Sequence, residues 1–314
     1  MAVINSVLGP LDTSRLGFTL MHEHVMSSTA GAYRDYPELL GENPVEKGVE
    51  ALKKAKEGGV DTIVDMTTLD LGRDVTYLAE VSKKSGVNII AVTGWWLDTP
   101  RAFTGVSADQ LSDLFVKEVT DGISGTRIKA GILKAAADIQ GVTPALETVL
   151  RAVARAHHKT LAPIVLHSYS PGQVARQQIA ILRDEGINLK RVKIDHSNDT
   201  TDVEYLTWIL EQGCYLGLDR YPGRNTSPLA RTKTLKALID AGYKDKLCIS
   251  HDITAVGVKA ANPEVPDEVR LRTNPHGYLY IKNVVFPQLK EMGVSDRVIR
   301  DLCITGPHNF FDGR

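Results

Sequence analysis

Two histidines separated by one residue close a short apolar segment near the N-terminus, Phe18-Thr19-Leu20-Met21-His22-Glu23-His24. Such a segment is typical of a β-strand, on which side chains two positions apart point to the same face. His22 and His24 should therefore project side by side, with Glu23 on the opposite face. Because neutral imidazole is a preferred ligand of zinc and related transition metals, the pair could supply half of a metal site.

Four further side chains with metal-binding or acid–base chemistry occur on later predicted strands: Lys134 on the fourth, His167 and His196 at the ends of the fifth and sixth, and Asp252 at the end of the eighth. Singly, each has an ordinary explanation, such as a hydrogen-bonded histidine or a helix-capping aspartate. Lys134 is the least ordinary, because it lies in an apolar strand and an unpaired buried ammonium is costly. If the strands form a barrel, all six groups meet at one mouth. We therefore predict a metal centre there.

The elements that would position these groups alternate regularly between strand and helix. Predicted strands cover residues 18–24, 61–66, 88–93, part of 128–136, 163–167, 192–196, 215–219 and 247–252. Alternation indicates a parallel sheet, and eight units indicate a closed (β/α)8 TIM barrel, with residues 1–314 as a single domain. A doubly wound open sheet is the alternative, but no glycine-rich dinucleotide or phosphate loop follows any strand.

Capping signals mark the starts of three of the intervening helices. Asn43 precedes Pro44 and Glu46, and S/T-x-x-E/Q capping boxes occur at residues 107–110 and 201–204. We expect these residues to satisfy the free N–H groups of the first helical turn.

Composition excludes several classes of protein. The net charge of −1, without basic or acidic blocks, gives no support for binding nucleic acid or an anionic membrane surface. No run approaches the about 18 apolar residues of a membrane helix. The three cysteines are widely separated and give no disulfide framework. With no signal-peptide pattern at the N-terminus, we expect a cytoplasmic protein.

Five motifs, in order along nearly the whole chain, resemble those of the phosphotriesterase family of the amidohydrolase superfamily. They are residues 17–24, Gly131-Ile132-Leu133-Lys134, Asp195-His196-Ser197-Asn198-Asp199-Thr200, Gly217-Leu218-Asp219-Arg220 and Ser250-His251-Asp252. The resemblance implies a hydrolase with two divalent metal ions per chain. Zinc is expected, and cobalt, manganese or iron could occupy the same ligands.

The resemblance also implies the ligand set. His22, His24 and Asp252 would hold a buried metal, and His167 and His196 an exposed one. Lys134, carboxylated on its amine, would bridge the two metals together with a hydroxide. Burial and nearby cations would favour the neutral amine that carboxylation needs.

In the implied mechanism, the bridging hydroxide attacks a carbonyl carbon or a phosphorus, and Asp252 takes the proton. The family's proton relay would continue through Arg220 and Asp199. Because arginine does not accept a proton under ordinary conditions, Arg220 is expected to orient its neighbours. A plain Arg220–Asp199 salt bridge is equally compatible with the sequence.

Two positions depart from the family pattern beside the sixth-strand histidine. Asp195 stands where glycine is expected, and Asn198 where an acidic residue is common. Neither is an expected ligand, but both could change hydrogen bonds around the metals and so alter affinity or rate by about 10–100-fold.

Aromatic and apolar residues follow three of the strands and should form a wall over the metals, suited to a small uncharged ester. They are Trp95, Trp96, Leu97, Tyr169 and Tyr221, with Arg220 beside them. Substrate signals conflict. Loop 27–37, Trp96 and Asn274-Pro275-His276-Gly277 resemble the organophosphate-hydrolysing branch. Against that, Arg220-Tyr221 resembles the lactonases, and the short loop 222–228 would cover less of a leaving group.

We therefore predict a lactone or ester hydrolase with phosphotriesterase activity, which is either native or promiscuous. An amidase on the same metals and a non-catalytic relic barrel remain alternatives. The family resemblance suggests a homodimer.

Overall fold

The computed structural model describes residues 2–223, 225–258 and 273–313. The chain opens with an antiparallel hairpin, β1 (Val3–Ser6) and β2 (Gly9–Asp12), that the sequence analysis did not predict. Eight strands then match the predicted ones: β3 (Thr19–Ser27), β4 (Thr62–Asp65), β5 (Asn88–Gly94), β6 (Ile132–Ala137), β7 (Ile164–Ser168), β8 (Val192–Asp195), β9 (Tyr215–Leu218) and β10 (Leu247–Ile249). A further strand, β11 (Thr254–Gly257), follows closely.

Helices lie between most of the barrel strands and after the last one. They are α1 (Ala32–Asp35), α2 (Pro44–Glu57), α3 (Val75–Ser85), α4 (Ala108–Thr120), α5 (Pro144–Thr160), α6 (Ala175–Asp184), α7 (Val203–Glu211), α8 (Pro228–Asp240), α9 (Phe286–Glu291), α10 (Asp296–Asp301) and α11 (Thr305–Asp312). Among the described residues, no helix has the length and apolar character needed to span a membrane.

The predicted (β/α)8 barrel is confirmed. Strands β3 to β11 form one parallel sheet in the order β10-β9-β8-β7-β6-β5-β4-β3-β11. The sheet closes on itself through β11, which continues from β10 and pairs with β3, with Thr254 opposite His24. The C-terminal ends of the strands therefore meet at one mouth, as the strand-end argument requires.

Side-chain alternation on the strands produces two apolar layers. One layer lies between the strands and the helices, and it includes Leu20 and Ile63. The other fills the barrel interior and includes Met21 and Ile90. The interior layer also contains Ile4 and Leu11 of the hairpin and Phe310 and Phe311 of α11, so these elements close the end of the barrel opposite the mouth.

Local signals at the helix starts were partly correct. The capping box of α4 is present, with the Ser107 side chain accepting from Gln110 N. At α7 the cap is one residue later than predicted, because Asp202 accepts from Tyr205 N. At α2 the predicted cap is wrong: Asn43 adopts a left-handed conformation with φ 50° and makes no side-chain cap bond.

A buried carboxylate ties the first barrel strand to the last. Glu23 Oε1 accepts from Ser250 Oγ at 2.6 Å, from His251 N at 3.0 Å and from His251 Nδ1 at 2.7 Å. Its Oε2 accepts from Ile253 N at 3.2 Å. These bonds bridge the irregular segment between β10 and β11, so the face of β3 opposite the two histidines helps close the barrel.

We expect Glu23→Gln to destabilise the protein by about 1–3 kcal/mol. The two carboxylate oxygens of Glu23 accept four hydrogen bonds, whereas a carboxamide has only one acceptor oxygen. Chemical denaturation followed by circular dichroism measures this. The control is Glu50→Gln, which removes an exposed ion pair to Lys54 and should cost under about 0.5 kcal/mol. Equal losses in both variants would contradict the role of Glu23.

Candidate metal centre

The mouth of the barrel brings together the histidines and the aspartate predicted as ligands. His22 Nε2 and His24 Nε2 each lie 3.3 Å from Asp252 Oδ1. His196 Nε2 lies 2.7 Å from His167 Nδ1, and the rings of His22 and His196 are 4.9 Å apart between centroids. The four histidines are buried, whereas the Asp252 side chain keeps 19% exposure.

Each of the four imidazoles has one ring nitrogen that faces away from the centre of the mouth, and that nitrogen contacts an oxygen atom of another residue. The pairs are His22 Nδ1 with Asp195 Oδ2 at 2.6 Å, His24 Nδ1 with Thr67 Oγ1 at 2.7 Å, His167 Nε2 with Asp138 Oδ2 at 3.3 Å and His196 Nδ1 with Asp219 Oδ1 at 2.9 Å. A carboxylate accepts only, so the facing nitrogens of His22, His167 and His196 must donate. The Thr67 hydroxyl donates its proton to Met26 O at 3.1 Å and therefore accepts from His24 Nδ1. The opposite nitrogen, which is directed inward, is then the one that can bind a cation. At His22, whose pKa the surrounding carboxylates raise, a bound cation would replace the proton on that nitrogen. This is the arrangement that metal-ligating histidines need.

Two of the converging residues have an unusual backbone conformation. His196 has φ 61° and Asp252 has φ 54°. A left-handed conformation costs a non-glycine residue about 1–2 kcal/mol, so it persists only where the surroundings impose it. His196 directly follows β8, and Asp252 lies in the break between β10 and β11, so each turn directs a side chain to the centre of the mouth.

Lys134 is buried in β6, and its Nζ donates to Met66 O at 2.8 Å. Burial lowers the pKa of Lys134, although the carboxylates of Asp252, Asp195 and Asp70 oppose the shift. Lys134 therefore lies at this mouth, and burial disfavours the charged form of its amine.

Electrostatics at His22 show that the group suits a cation. Burial disfavours its charged form, yet the carboxylates of Asp252, Asp195 and Asp219 raise the pKa of His22 to about 10. Conversely, although burial opposes it, His22 and His24 hold the pKa of Asp252 well below its usual range. His22, His196 and Asp252 each offer a ligand atom, all within 4.8 Å of one another. Imidazole nitrogens and a carboxylate in this arrangement are suitable ligands for zinc or a similar ion.

Arg220 connects Asp252 to Asp199. Its Nε donates to Asp252 Oδ2 at 2.9 Å, and its Nη1 donates to Asp199 Oδ2 at 2.5 Å. The Arg220–Asp199 salt bridge anticipated from the sequence is therefore present, and it extends to the predicted ligand. The Asn198 side chain accepts from Arg220 N at 3.1 Å, so this departure from the family pattern supports the arginine's backbone.

Arg231 of α8, which the sequence analysis missed, holds Asp199 from the other side. Its Nη2 donates to Asp199 Oδ1 at 2.8 Å, its Nη1 to Asn198 O at 2.6 Å and its Nε to Thr226 O at 3.0 Å. The side chain is fully buried. Gly223 makes room for it, because a Cβ there would lie 2.3 Å from the guanidinium.

Of the five residues predicted to form the pocket wall, three lie near the histidines. Trp96 is half-buried and its Nε1 lies 3.2 Å from His167 Nδ1. Leu97 and Tyr169 pack nearby against a small cluster that includes Ala137. Trp96, Leu97 and Tyr169 lie beside the histidines or on the loops that adjoin them. Arg224, in the predicted short loop 222–228, and residues 259–272 lie outside the described part of the chain.

The predictions for Trp95 and Tyr221 were wrong. The Trp95 side chain is 3% exposed and packs on Phe103 and Phe115, in the layer beneath the helices. Tyr221 is fully buried in the same layer. Trp95 directly follows β5, and Tyr221 lies in the turn that follows the end of β9 at Leu218. In such turns the strand alternation no longer decides which way a side chain points.

The outer partners of the histidines were also missed as a group. Asp138, Asp219 and Thr67 each follow a barrel strand within two residues. Short polar residues are common in the turns that follow strands. These three differ from ordinary turn residues only because each lies in space beside a histidine of another strand.

Comparison with known proteins identifies the family. Residues 2–311 match the model of the phosphotriesterase family. The chain belongs to this family. The phosphotriesterase homology protein of Mycobacterium tuberculosis (strain ATCC 25618 / H37Rv) is 39% identical over 99% of this chain and 98% of its own length. The structure of the phosphotriesterase from Mycobacterium tuberculosis matches with a TM-score of 0.92 and 37% identity, over 99% of this chain and 98% of that one.

Two further relatives have names that state different activities. An aryldialkylphosphatase of Saccharolobus solfataricus is 35% identical over 96% of both chains. An N-acetyltaurine hydrolase of Rattus norvegicus is 26% identical over 97% of this chain and 96% of its own length. The resemblance described from the motifs is thus confirmed, and a hydrolase of this family is supported.

We expect Arg231→Lys to lower kcat by about tenfold or more without loss of bound metal, because lysine cannot reach all three acceptors, which lie on Asp199, Asn198 and Thr226. Steady-state kinetics and metal analysis measure the two effects. Arg155→Lys, at an arginine that binds Glu185 and Asp109 on the surface, is the control and should leave both unchanged. Loss of metal in Arg231→Lys would instead indicate a general disruption of the site.

Proposed function

We propose that this protein is a metal-dependent hydrolase that uses two divalent cations to cleave small uncharged esters, namely lactones, aryl esters or phosphotriesters. One observation carries the proposal: four imidazoles, each with its outward nitrogen bonded to an oxygen, turn their other nitrogens toward Asp252 or toward one another. The family model spans residues 2–311, which supports a single catalytic domain.

His22, His24 and Asp252 would hold one cation, and His167 and His196 the other. Lys134 would join the two sites as a carbamate, since its buried amine has a lowered pKa and neutral amines react with carbon dioxide. Two cations held by these residues would supply Lewis-acid chemistry, lowering the pKa of a bound water and polarising a carbonyl or phosphoryl oxygen.

Asp252 is the residue best placed to take the proton released during hydrolysis. Its low pKa keeps it ionised at neutral pH. Its Oδ2 accepts from Arg220 while its Oδ1 faces His22 and His24. Arg220 orients this carboxylate and remains charged throughout, because its two partners, Asp252 and Asp199, raise its pKa despite burial. Asp199 anchors the arginine at the outer end.

The surroundings of the mouth favour an ester without charge. Trp96, Leu97 and Tyr169 supply apolar surface beside the histidines. Arg220, 32% exposed in its side chain, is already engaged by two carboxylates and so offers little attraction to a substrate anion. The 35% identity to an aryldialkylphosphatase supports the same class.

Hydrolysis of an amide is the second candidate. The 26% identity to an N-acetyltaurine hydrolase, over nearly the full length of both chains, favours it. The same residues would act, because attack on an amide carbonyl needs the same activated water and the same polarised oxygen. The ester class is preferred on the higher identity and on the apolar wall.

A substrate panel separates these candidates. Protein reconstituted with zinc, cobalt or manganese is assayed on lactones, aryl esters, dialkyl aryl phosphates and N-acyl amides, with metal-free protein as the control. We expect hydrolysis in at least one of the three ester classes, abolished by chelator and restored by metal. Activity on amides alone would favour the second candidate, and inactivity on all four classes with two metals bound would refute the proposal.

Lys134→Ala tests the bridging role. We expect it to bind fewer metal ions and to lose activity by about 100-fold or more, because the group between the two cations is removed. In the native protein, ¹³C-labelled bicarbonate should give a carbamate NMR signal that is absent from the variant. Lys159→Ala, at an exposed lysine paired with Asp113, is the matched control. Two tightly bound metals in Lys134→Ala would contradict the assignment.

A further inference from the structure

A second group of charged side chains lies inside the barrel, beneath the histidines. Lys193 and Asp195 are two apart on β8 and share its inward face, and Asp219 follows the neighbouring strand β9. All three are buried, Lys193 and Asp195 completely. Uncompensated charges in such a place are costly, so their arrangement needs an explanation.

Asp195 joins Lys193 to His22. Its Oδ1 accepts from Lys193 Nζ, and its Oδ2 lies 2.6 Å from His22 Nδ1. Lys193 Nζ also donates to Met21 O at 3.3 Å. Each carboxylate oxygen of Asp195 thus has a partner. The contacts connect Lys193 in the barrel interior to His22, a proposed metal ligand.

The neighbouring strand leaves space for these carboxylates. A Cβ at Gly217 would lie 2.2 Å from Asp195 Oδ1 and 2.5 Å from Asp219 Oδ2. Any other residue at that position of β9 would displace one carboxylate or the other. The pair is therefore accommodated by the barrel as well as bonded within it.

Without a positive charge nearby, the same atoms would themselves suit a cation. His22, Asp195 and Asp219 each offer a ligand atom, all within 4.8 Å of one another, and His22 Nδ1 lies 3.5 Å from Asp219 Oδ2. A metal at this position would take the nitrogen of His22 that faces away from Asp252. Lys193 places a permanent ammonium against Asp195 instead.

We propose that Asp195 is a positioning residue that fixes His22 with its Nε2 toward Asp252, and that Lys193 is an internal cation that keeps the Asp195–Asp219–His22 group from binding a metal of its own. The inference rests on the proposed function, because it takes His22 to be a metal ligand. It gives a role to Asp195, which stands where the family pattern has glycine.

The test for Asp195 compares Asp195→Asn with the double variant Lys193→Met/Asp195→Asn, which leaves no unpaired ammonium and so guards against misfolding. Zinc affinity is measured by competition with a chelating dye, and the His22 tautomer by ¹⁵N NMR of zinc-loaded protein. We expect both variants to bind one of the two zinc ions about 10–100-fold more weakly. The native protein should carry its proton on His22 Nδ1, and the variants should lose that preference. Cys248→Ala, in the same interior layer, is the control and should change neither measurement.

The test for Lys193 is the number of zinc ions bound by Lys193→Met, counted by elemental analysis after dialysis. We expect an additional zinc ion beyond the native two, together with a larger rise in melting temperature on adding zinc. Two ions bound as in the native protein would overturn the role of Lys193. Native affinity in folded Asp195→Asn and in the double variant would overturn the role of Asp195 while leaving the proposed function intact. A native protein that binds fewer than two zinc ions would overturn the proposed function itself.

Discussion

The site depends on one constraint, which is that each imidazole must present a single, chosen nitrogen. A neutral imidazole has one donor and one acceptor nitrogen, and the partner on the outer side decides which is which. The four partners here come from other strands than the histidines they hold: Asp195 from β8 and Thr67 from the end of β4, for example, hold the two histidines of β3. The inward lone pairs are thus fixed only when the barrel is closed.

The strands and the ligand positions could be predicted because they depend on local patterns. Alternation places His22 and His24 on one face, and a strand end brings a polar residue to the mouth. The outer partners could not be predicted in the same way, because they depend on the register between strands. Ala136 of β6 lies opposite His167, which brings Asp138, two residues later, within reach of the ring. No property of Asp138 in the sequence distinguishes it from an ordinary turn residue.

The errors also have physical causes. Gly94 ends β5 with φ 107°, and a Cβ there would lie 1.9 Å from Lys134 O. This close turn changes the direction of the chain, so that Trp95 points into the helix layer and Trp96 toward His167. The eighth strand was predicted as continuous, but it breaks at residues 250–253, where Glu23 supplies acceptors that strand pairing would otherwise provide. A break stabilised by a residue more than two hundred positions away leaves no local pattern.

The charges around the site alternate in sign from the barrel interior to the mouth. In space, a series of contacts joins seven side chains, each touching the next. In order from the interior they are Lys193, Asp195, His22, Asp252, Arg220, Asp199 and Arg231. Buried charges persist when each has an opposite neighbour, and this order leaves Asp252 firmly ionised. Lys134 lacks a direct carboxylate contact among the described residues and is bonded only to a carbonyl, so burial lowers its pKa. One mouth thus stabilises an anion at Asp252 and disfavours a cation at Lys134. Both effects make the net charge of the mouth more negative, which would favour a bound cation.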